Sequence, residues 1–265
     1  MKYTKEQLLE IYQKEHVENK LKYSQIKQKY GIPRGTWDYH IRKMGKYKAD
    51  TRTYRANDDF FDVIDSEIKA YLLGFLYADG YLASDGRIGI RLQIDDEEII
   101  HLIKTYICPT SPIQYTNNQN FKRKSQITIR WKSDKMYKRL QELGFCVNKT
   151  KTDSDILLKI PEEFKHHFIR GYTDGDGHIS AYFLENGRKR KINIAWSNGS
   201  SKILLDIMEY FKAYKSNFYN HTTWYLLSYD TQKEVYKIVK TLYENSNFYL
   251  KRKFDTYLKL KNYYN

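Results

Sequence analysis

A short pattern written twice constrains this chain more than anything in its composition. Ala70-Tyr71-Leu72-Leu73-Gly74-Phe75-Leu76-Tyr77-Ala78-Asp79-Gly80 is echoed by Phe168-Ile169-Arg170-Gly171-Tyr172-Thr173-Asp174-Gly175-Asp176-Gly177. Asp79 and Asp176 stand 97 residues apart, half a small domain rather than a solenoid period. Each copy has a helical run, a glycine five residues before the acid, a small residue just before it and a glycine after it. Gly74 and Ala78, like Gly171 and Gly175, fall at i, i+4 and share one helix face. Small residues there let two backbones approach closely. The spacing predicts two helices paired through these four residues.

Gly80 and Gly177 suit the left-handed position that ends a helix. Asp79 and Asp176 then sit at helix C-termini, where the macrodipole disfavours an anion by roughly 0.3–1 kcal/mol. Pairing the helices adds repulsion between the acids. A local rule broken twice at equivalent places marks a functional site. Mutually repelling carboxylates call for a divalent cation, and oxygen-only ligation points to Mg²⁺ or Mn²⁺. Its ligands would be Asp79 and Asp176, with the carbonyls of Ala78 and Gly175. Either Asp-Gly alone would signal only a turn; the duplication carries the argument. A calcium loop starting at Asp174 fails, because Ile179 stands where that loop needs glycine.

Each motif is followed by alternating strands. Arg87-Ile88-Gly89-Ile90-Arg91-Leu92-Gln93 follows an Asp85-Gly86 turn, and Gln126-Ile127-Thr128-Ile129-Arg130-Trp131-Lys132 alternates again. One face is apolar. The other presents Arg87, Arg91, Gln93, Gln126, Thr128 and Arg130, side chains suited to base edges and phosphates. Helices are predicted over 97–107 and 135–143. The second half repeats the order with an Asn186-Gly187 turn, a strand over 191–197 presenting Lys191 and Asn193, a helix over 200–212, strands within 214–229 and a helix over 232–243.

These motifs resemble those of the LAGLIDADG homing endonucleases, in the form with two copies on one chain. Leu72–Gly80 matches that nonapeptide with Tyr77 in place of an acid; Ile169–Gly177 is a looser copy carrying Arg170, Tyr172 and Gly175. The resemblance spans about 57–261. It implies an α+β fold, a pseudo-twofold pair of αββαββ halves (67–160 and 161–265) with saddle-shaped antiparallel sheets in a DNA major groove. It also implies site-specific, metal-dependent cleavage of double-stranded DNA by a monomer, with Asp79 and Asp176 catalytic. A basic residue near each scissile phosphate is implied as well: Lys253 in the second half, Lys149 or Lys151 in the first. The family's water-organising polar position falls at Gln93 or Ile94, and at Ser197 or Asn198.

Charge adds a second module. The chain carries a formal +14, and residues 1–56 hold +8 of it, with ten Lys and four Arg against four Glu and two Asp. Thr4 caps a first helix, with Gln7 completing a capping box. Ser24 would cap a second, ended by Gly31 and Pro33. A third runs from Arg34 to Met44, closed by Gly45. It turns Trp37, Ile41 and Met44 inward and Arg34, Thr36, Asp38, His40 and Arg42 outward. This predicts an all-α helix-turn-helix over 1–45 that binds DNA, a basic linker over 46–66 and the two-repeat domain over 67–265.

Composition excludes other classes. No apolar run approaches a membrane span, no secretory leader opens the chain, and two cysteines build neither a disulfide framework nor a zinc module. A reducing, cytoplasmic setting fits, and richness in Lys, Tyr, Asn and Ile hints at a bacterial or phage genome. His178 has only Tyr81 as its counterpart and reads as structural; His166 and His167 read as the start of the second motif helix. Two alternatives use the same fold, a non-cleaving transcriptional regulator and a maturase holding intron RNA. An intein is disfavoured, because no Cys or Ser opens the chain and no His-Asn closes it.

Overall fold

The computed structural model describes residues 3–43, 54–116, 125–147, 153–183 and 189–264. The chain divides into two compact units, Met1–Thr53 and Tyr54–Asn265. Among the described residues, no helix is long and apolar enough to cross a membrane.

The first unit is helical. Thr4 caps α1 (Lys5–Ile11) through reciprocal bonds with Gln7, and a π-helical stretch continues over Tyr12–Glu18. α2 (Tyr23–Tyr30) begins after Lys22, whose amide is bound by the Gln25 side chain at 2.8 Å, so Ser24 lies inside the helix rather than capping it. Gly31 ends α2 at φ 66°, and α3 (Arg34–Lys43) follows after Pro33. Leu8, Tyr12, Ile26, Ile32 and Trp37 form the core, with Ile41 packed against it. Met44 and Gly45 lie outside the described residues. Buried Glu15 accepts from Lys29 Nζ at 2.7 Å, from Tyr30 and from Asn19 Nδ2 at 3.1 Å. These bonds, Lys29's first, hold its carboxyl down to about 2.

The second unit runs through one element order twice. α4 (Glu67–Asp79) leads into β1 (Gly80–Leu82), β2 (Arg87–Gln93), α5 (Glu97–Tyr106), β3 (Ile113–Thr116), β4 (Gln126–Lys132) and α6 (Asp134–Leu143). The second pass is α7 (Lys165–Asp176), β5 (Gly177–Phe183), β6 (Lys189–Asn198), α8 (Lys202–Tyr210), β7 (Asn217–Asn220), β8 (Tyr225–Tyr229) and α9 (Gln232–Tyr243), followed by α10 (Lys251–Tyr264). Two antiparallel sheets result, ordered β1-β2-β4-β3 and β5-β6-β8-β7. This is the α+β pair of halves expected, each with a further helix after its last strand. β1, β3, β5 and α10 are elements that no residue pattern resolved.

Alternation fixes the faces. Ile88, Ile90, Leu92, Ile127, Ile129 and Trp131 are buried on one side of the first sheet, and Ile192, Ile194, Trp196 and Leu227 on one side of the second. Residues 54–66 do not form a linker as predicted. Phe60, Phe61 and Ile64 join the main core, Asn57 N–H donates to the Ile107 carbonyl at 2.7 Å, and Arg139 binds the Phe61 and Asp62 carbonyls. Burial of two adjacent aromatics overrides the segment's polar composition.

The motif helices pack through their glycines. A Cβ on Gly74 would lie 2.0 Å from the Phe168 carbonyl oxygen, and one on Gly171 would lie 2.0 Å from the Tyr71 carbonyl oxygen. Gly80 and Gly177 differ from expectation: both are extended, at φ −72° and −80°. Glycine is needed there for space, since a Cβ would meet the Leu76 or Thr173 carbonyl oxygen at 2.5 or 2.7 Å. Because the obstructing atoms are backbone, Gly74→Ala and Gly171→Ala should each destabilise the protein by about 3 kcal/mol, the upper end for overpacking. Urea unfolding with m unchanged would measure it.

Candidate active site

The site forms where α4 and α7 end side by side. Buried Ala78 meets Gly175, whose Cβ position is 2.3 Å from Ala78 Cβ and 3.0 Å from Asp79 Oδ2. The Asp79 carboxylate therefore lies against the residue preceding Asp176, and the helix ends bring both acids to one place. Asp79 is half-buried and Asp176 exposed. Asp176 also faces the buried Tyr172 hydroxyl, which burial and this charge push up. Asn198 Nδ2 donates to that hydroxyl at 2.9 Å, while Asn198 Oδ1 accepts from Ser200 N–H. Of the predicted water-organising positions, Asn198 is thus tied beside the site; Ser197 and Gln93 are exposed on the sheets and Ile94 is half-buried.

Donor chemistry can be tested against the proposed cation. Two carboxylates and the main-chain carbonyls at helix ends form an all-oxygen set, which suits a hard divalent ion, and the space at Gly175 leaves the Asp79 carboxylate room to reach it. The residues fit such an ion. Among the described residues, no group of three or more His, Cys, Asp or Glu forms a metal cluster.

Behind the acids lies a polar network that sequence reasoning missed. Asp174 is fully buried and accepts from Tyr243 Oη at 2.6 Å, Leu250 N–H at 2.7 Å and Tyr71 Oη at 2.9 Å. Burial pushes its carboxyl up, against the opposing pull of the Lys253 ammonium. Lys253 is only 5% exposed. Its Nζ donates to the carbonyls of Thr173, Asp174 (2.8 Å) and Gly177 (2.7 Å). An ammonium has three protons, and these three acceptors occupy them. Burial lowers its pKa to about 8, while Asp174 and, more weakly, Asp79 oppose the fall. Lys253 thus stands at the site with its ammonium turned to main-chain carbonyls. It caps the C-terminal carbonyls of α7, where a cation offsets the helix dipole. Lys149 and Lys151 lie outside the described residues.

Arg170 anchors the middle of α7. Fully buried, it donates to the Phe248 and Leu242 carbonyls at 2.8 Å and to Glu67 Oε1 at 2.7 Å, and contacts His167 Nδ1 at 2.8 Å. Burial first, then the Arg170 charge, lowers the His167 pKa to about 4. The unfolded state then takes up a proton near pH 6.5, before the native state does, and stability is lost as pH falls through about 4. His167→Gln should remove about 1–2 kcal/mol of that loss between pH 6.5 and 4, allowing for partial exposure, as measured by urea titration at each pH.

The sheets carry the predicted nucleic-acid residues on their outer faces. Arg87, Arg91 and Gln93 are exposed, and Gln126 and Arg130 are half-buried. Arg130 donates to Gln114. Thr128 departs from expectation: it is 3% exposed, in a row between Arg91 and Gln114, and those longer neighbours leave it no access to a base edge. Lys191 is exposed; Asn193, at 9%, is bonded to Ser180. His178 is exposed on β5 opposite Ala195. On α3, Arg34 is exposed and pairs with Asp38 at 3.2 Å, Thr36 and His40 are half-buried, and Arg42 lies in the last turn. Tyr39, exposed beside His40, was not singled out from sequence.

No family model and no curated protein matches the chain by sequence. Structure gives a match. The meganuclease I-SmaMI bound to uncleaveable DNA aligns with a TM-score of 0.51 at 10% identity, covering 74% of this chain and 90% of that one. The chain has the LAGLIDADG homing-endonuclease fold. I-SmaMI, described as a LAGLIDADG homing endonuclease bound to cleaved DNA, aligns again at 0.48 and 11% identity over 73% and 87%. The LAGLIDADG meganuclease I-AabMI bound to uncleaved DNA gives 0.48 and 13% identity over 73% and 87%.

Within that fold, Asp174 and Lys253 are coupled by charge rather than by side-chain contact: Lys253 Nζ binds the Asp174 carbonyl, while the Asp174 carboxylate accepts from Tyr71, Tyr243 and Leu250. Asp174→Ala and Lys253→Met should each cost about 3 kcal/mol by leaving their buried hydrogen-bond partners unsatisfied. The double variant should cost clearly less than the sum in a urea-monitored cycle.

Proposed function

We propose that the chain is a site-specific double-strand DNA endonuclease that hydrolyses phosphodiester bonds with divalent metal held by Asp79 and Asp176. The observation that carries this reading is the Asp79 carboxylate lying 3.0 Å from the Cβ position of Gly175, next to Asp176. Two acids driven together at the negative ends of paired helices have no structural benefit. They fit a site that gathers positive charge beside a polyanion.

Asp79 and Asp176, aided by the carbonyls of Ala78 and Gly175, would hold Mg²⁺ or Mn²⁺. When bound, the ion supplies charge that favours hydroxide over water and stabilises the departing 3′ oxygen. The chain's own groups set the geometry. Lys253 fixes the α7 terminus that carries Asp176, so its role is positioning rather than contact with phosphate. Asn198 and Tyr172 orient polar atoms at the same end. Each acid serves one strand, and the basic residue of the first half, Lys149 or Lys151, neutralises phosphate. The outer sheet faces lie in the major groove, where Arg87, Arg91, Gln93, Gln126, Arg130 and Lys191 meet phosphates and base edges. Residues 1–45 add a helix-turn-helix arm, whose DNA contacts are Arg34, Thr36, His40 and Arg42 of the third helix. The protein acts as a monomer, because both acids come from one chain.

The fold is shared with a meganuclease whose structure includes DNA, and the presence of both acids favours this reading over the regulator, which needs neither. The protein should cut a subset of a random duplex library in Mg²⁺ and stop in excess chelator. Asp79→Asn and Asp176→Asn should each lower cleavage by at least about a hundredfold without losing DNA binding. A wild-type chain that binds DNA tightly and cuts no library member would refute the endonuclease assignment.

A further inference from the structure

The two sheets share one topology, so register lets their outer faces be compared position by position. Gly80 pairs with Ile90 and Ile90 with Ile129 in the first sheet. Gly177 pairs with Trp196 and Trp196 with Leu227 in the second. Counted from those rows, Arg87 corresponds to Asn193, Arg91 to Ser197 and Arg130 to Ser228. Lys132 corresponds to Asp230, the residue after β8. Each of the four cations on the first face thus has a neutral or acidic counterpart. One position runs the other way, where Lys191 corresponds to Asp85. Across these five described positions the first face sums to +3 and the second to zero.

Exposure sharpens the contrast. Arg87, Arg91 and Lys132 are exposed, whereas Asn193 and Ser228 are buried. What the second face offers instead is aromatic. Tyr182 pairs with Lys191 and Tyr219 with Leu226 on the same side, and they are 61% and 49% exposed. At the hairpin tip beyond, His221 and Trp224 stack at 3.9 Å.

Resting on the endonuclease reading, we infer that the two sheets hold their half-sites by unlike physical means. The first neutralises phosphates and offers arginines to guanine edges. The second grips by neutral hydrogen bonds and aromatic contact. Most of the salt-dependent affinity of the two sheet faces therefore resides in one half-site, with Lys191 the second face's contribution. Each phosphate neutralised contributes about 0.9 to the slope of log affinity against log salt, so the two mechanisms separate in a salt titration.

The test uses the full chain and random-sequence duplex DNA, with affinity followed by anisotropy over a range of salt. Arg91→Gln with Arg130→Gln should reduce the slope by about 1.8, at about 0.9 per charge. Arg91→Lys with Arg130→Lys keeps the charge and should keep the slope, which separates electrostatics from damage to the sheet. Tyr182→Ala with Ser197→Ala should weaken binding at every salt concentration with the slope unchanged. A glutamine pair that binds with the wild-type slope would overturn this inference alone, as would an equal loss of slope in the Tyr182 and Ser197 variant. No duplex binding by the unaltered chain, even at low salt, would overturn the endonuclease reading along with it.

Discussion

Everything in the second unit depends on how closely α4 and α7 approach. With Gly74 against the Phe168 carbonyl and Gly171 against the Tyr71 carbonyl, both 2.0 Å from where a Cβ would stand, the two backbones touch directly. No larger side chain could separate them without moving main chain. That closeness makes the helix ends coincide, and coincident ends place Asp79 beside the residue preceding Asp176. Each helix then leads directly into the first strand of its own sheet. The glycines thus set both the placement of the paired acids and the mutual placement of the two sheets.

So close a pairing concentrates carbonyl dipoles and carboxylates at one end, and the two halves meet this differently. α7 is held by buried charged groups: Arg170 paired with Glu67 at its middle, and Lys253 on the carbonyls at its end. α4 has Leu73 where α7 has Arg170 and Tyr77 where α7 has Asp174, and Tyr77 packs among Phe145, Phe168 and Tyr172. One motif helix is fixed by buried charge and the other by aromatic packing. The sheets repeat this inequality, cationic in the first half and neutral in the second. Pseudo-symmetry here belongs to the backbone and to the two acids, while the surrounding chemistry is divided.

Much of this was legible in the residues. The doubled motif gave the pairing helices, the Asp85-Gly86 turn and the alternation after it gave β2, and Thr4 with Gln7 gave the first cap. What stayed hidden was non-local. β3 is four residues long and only Ile113 of them is strongly apolar, too little for a period-two signal. α10 opens with Lys251-Arg252-Lys253, a run that reads as solvated. Lys253 is buried because its acceptors and Asp174 lie some 80 residues earlier, a relation no local pattern carries. Phe60 and Phe61 join the core, yet they lie in a segment whose aperiodic, polar residues read as a linker. Glycine after each acid was read as a left-handed cap, when the structure uses it for space.

The central claim is that Asp79 and Asp176 form one cation site rather than two. Its most direct test is titration of Mn²⁺ into the full chain bound to duplex DNA, comparing Asp79→Asn, Asp176→Asn and the double variant. A shared site predicts that either single change removes most of the cation affinity and that the second adds little. Independent, additive losses, or affinity that survives both changes, would contradict it.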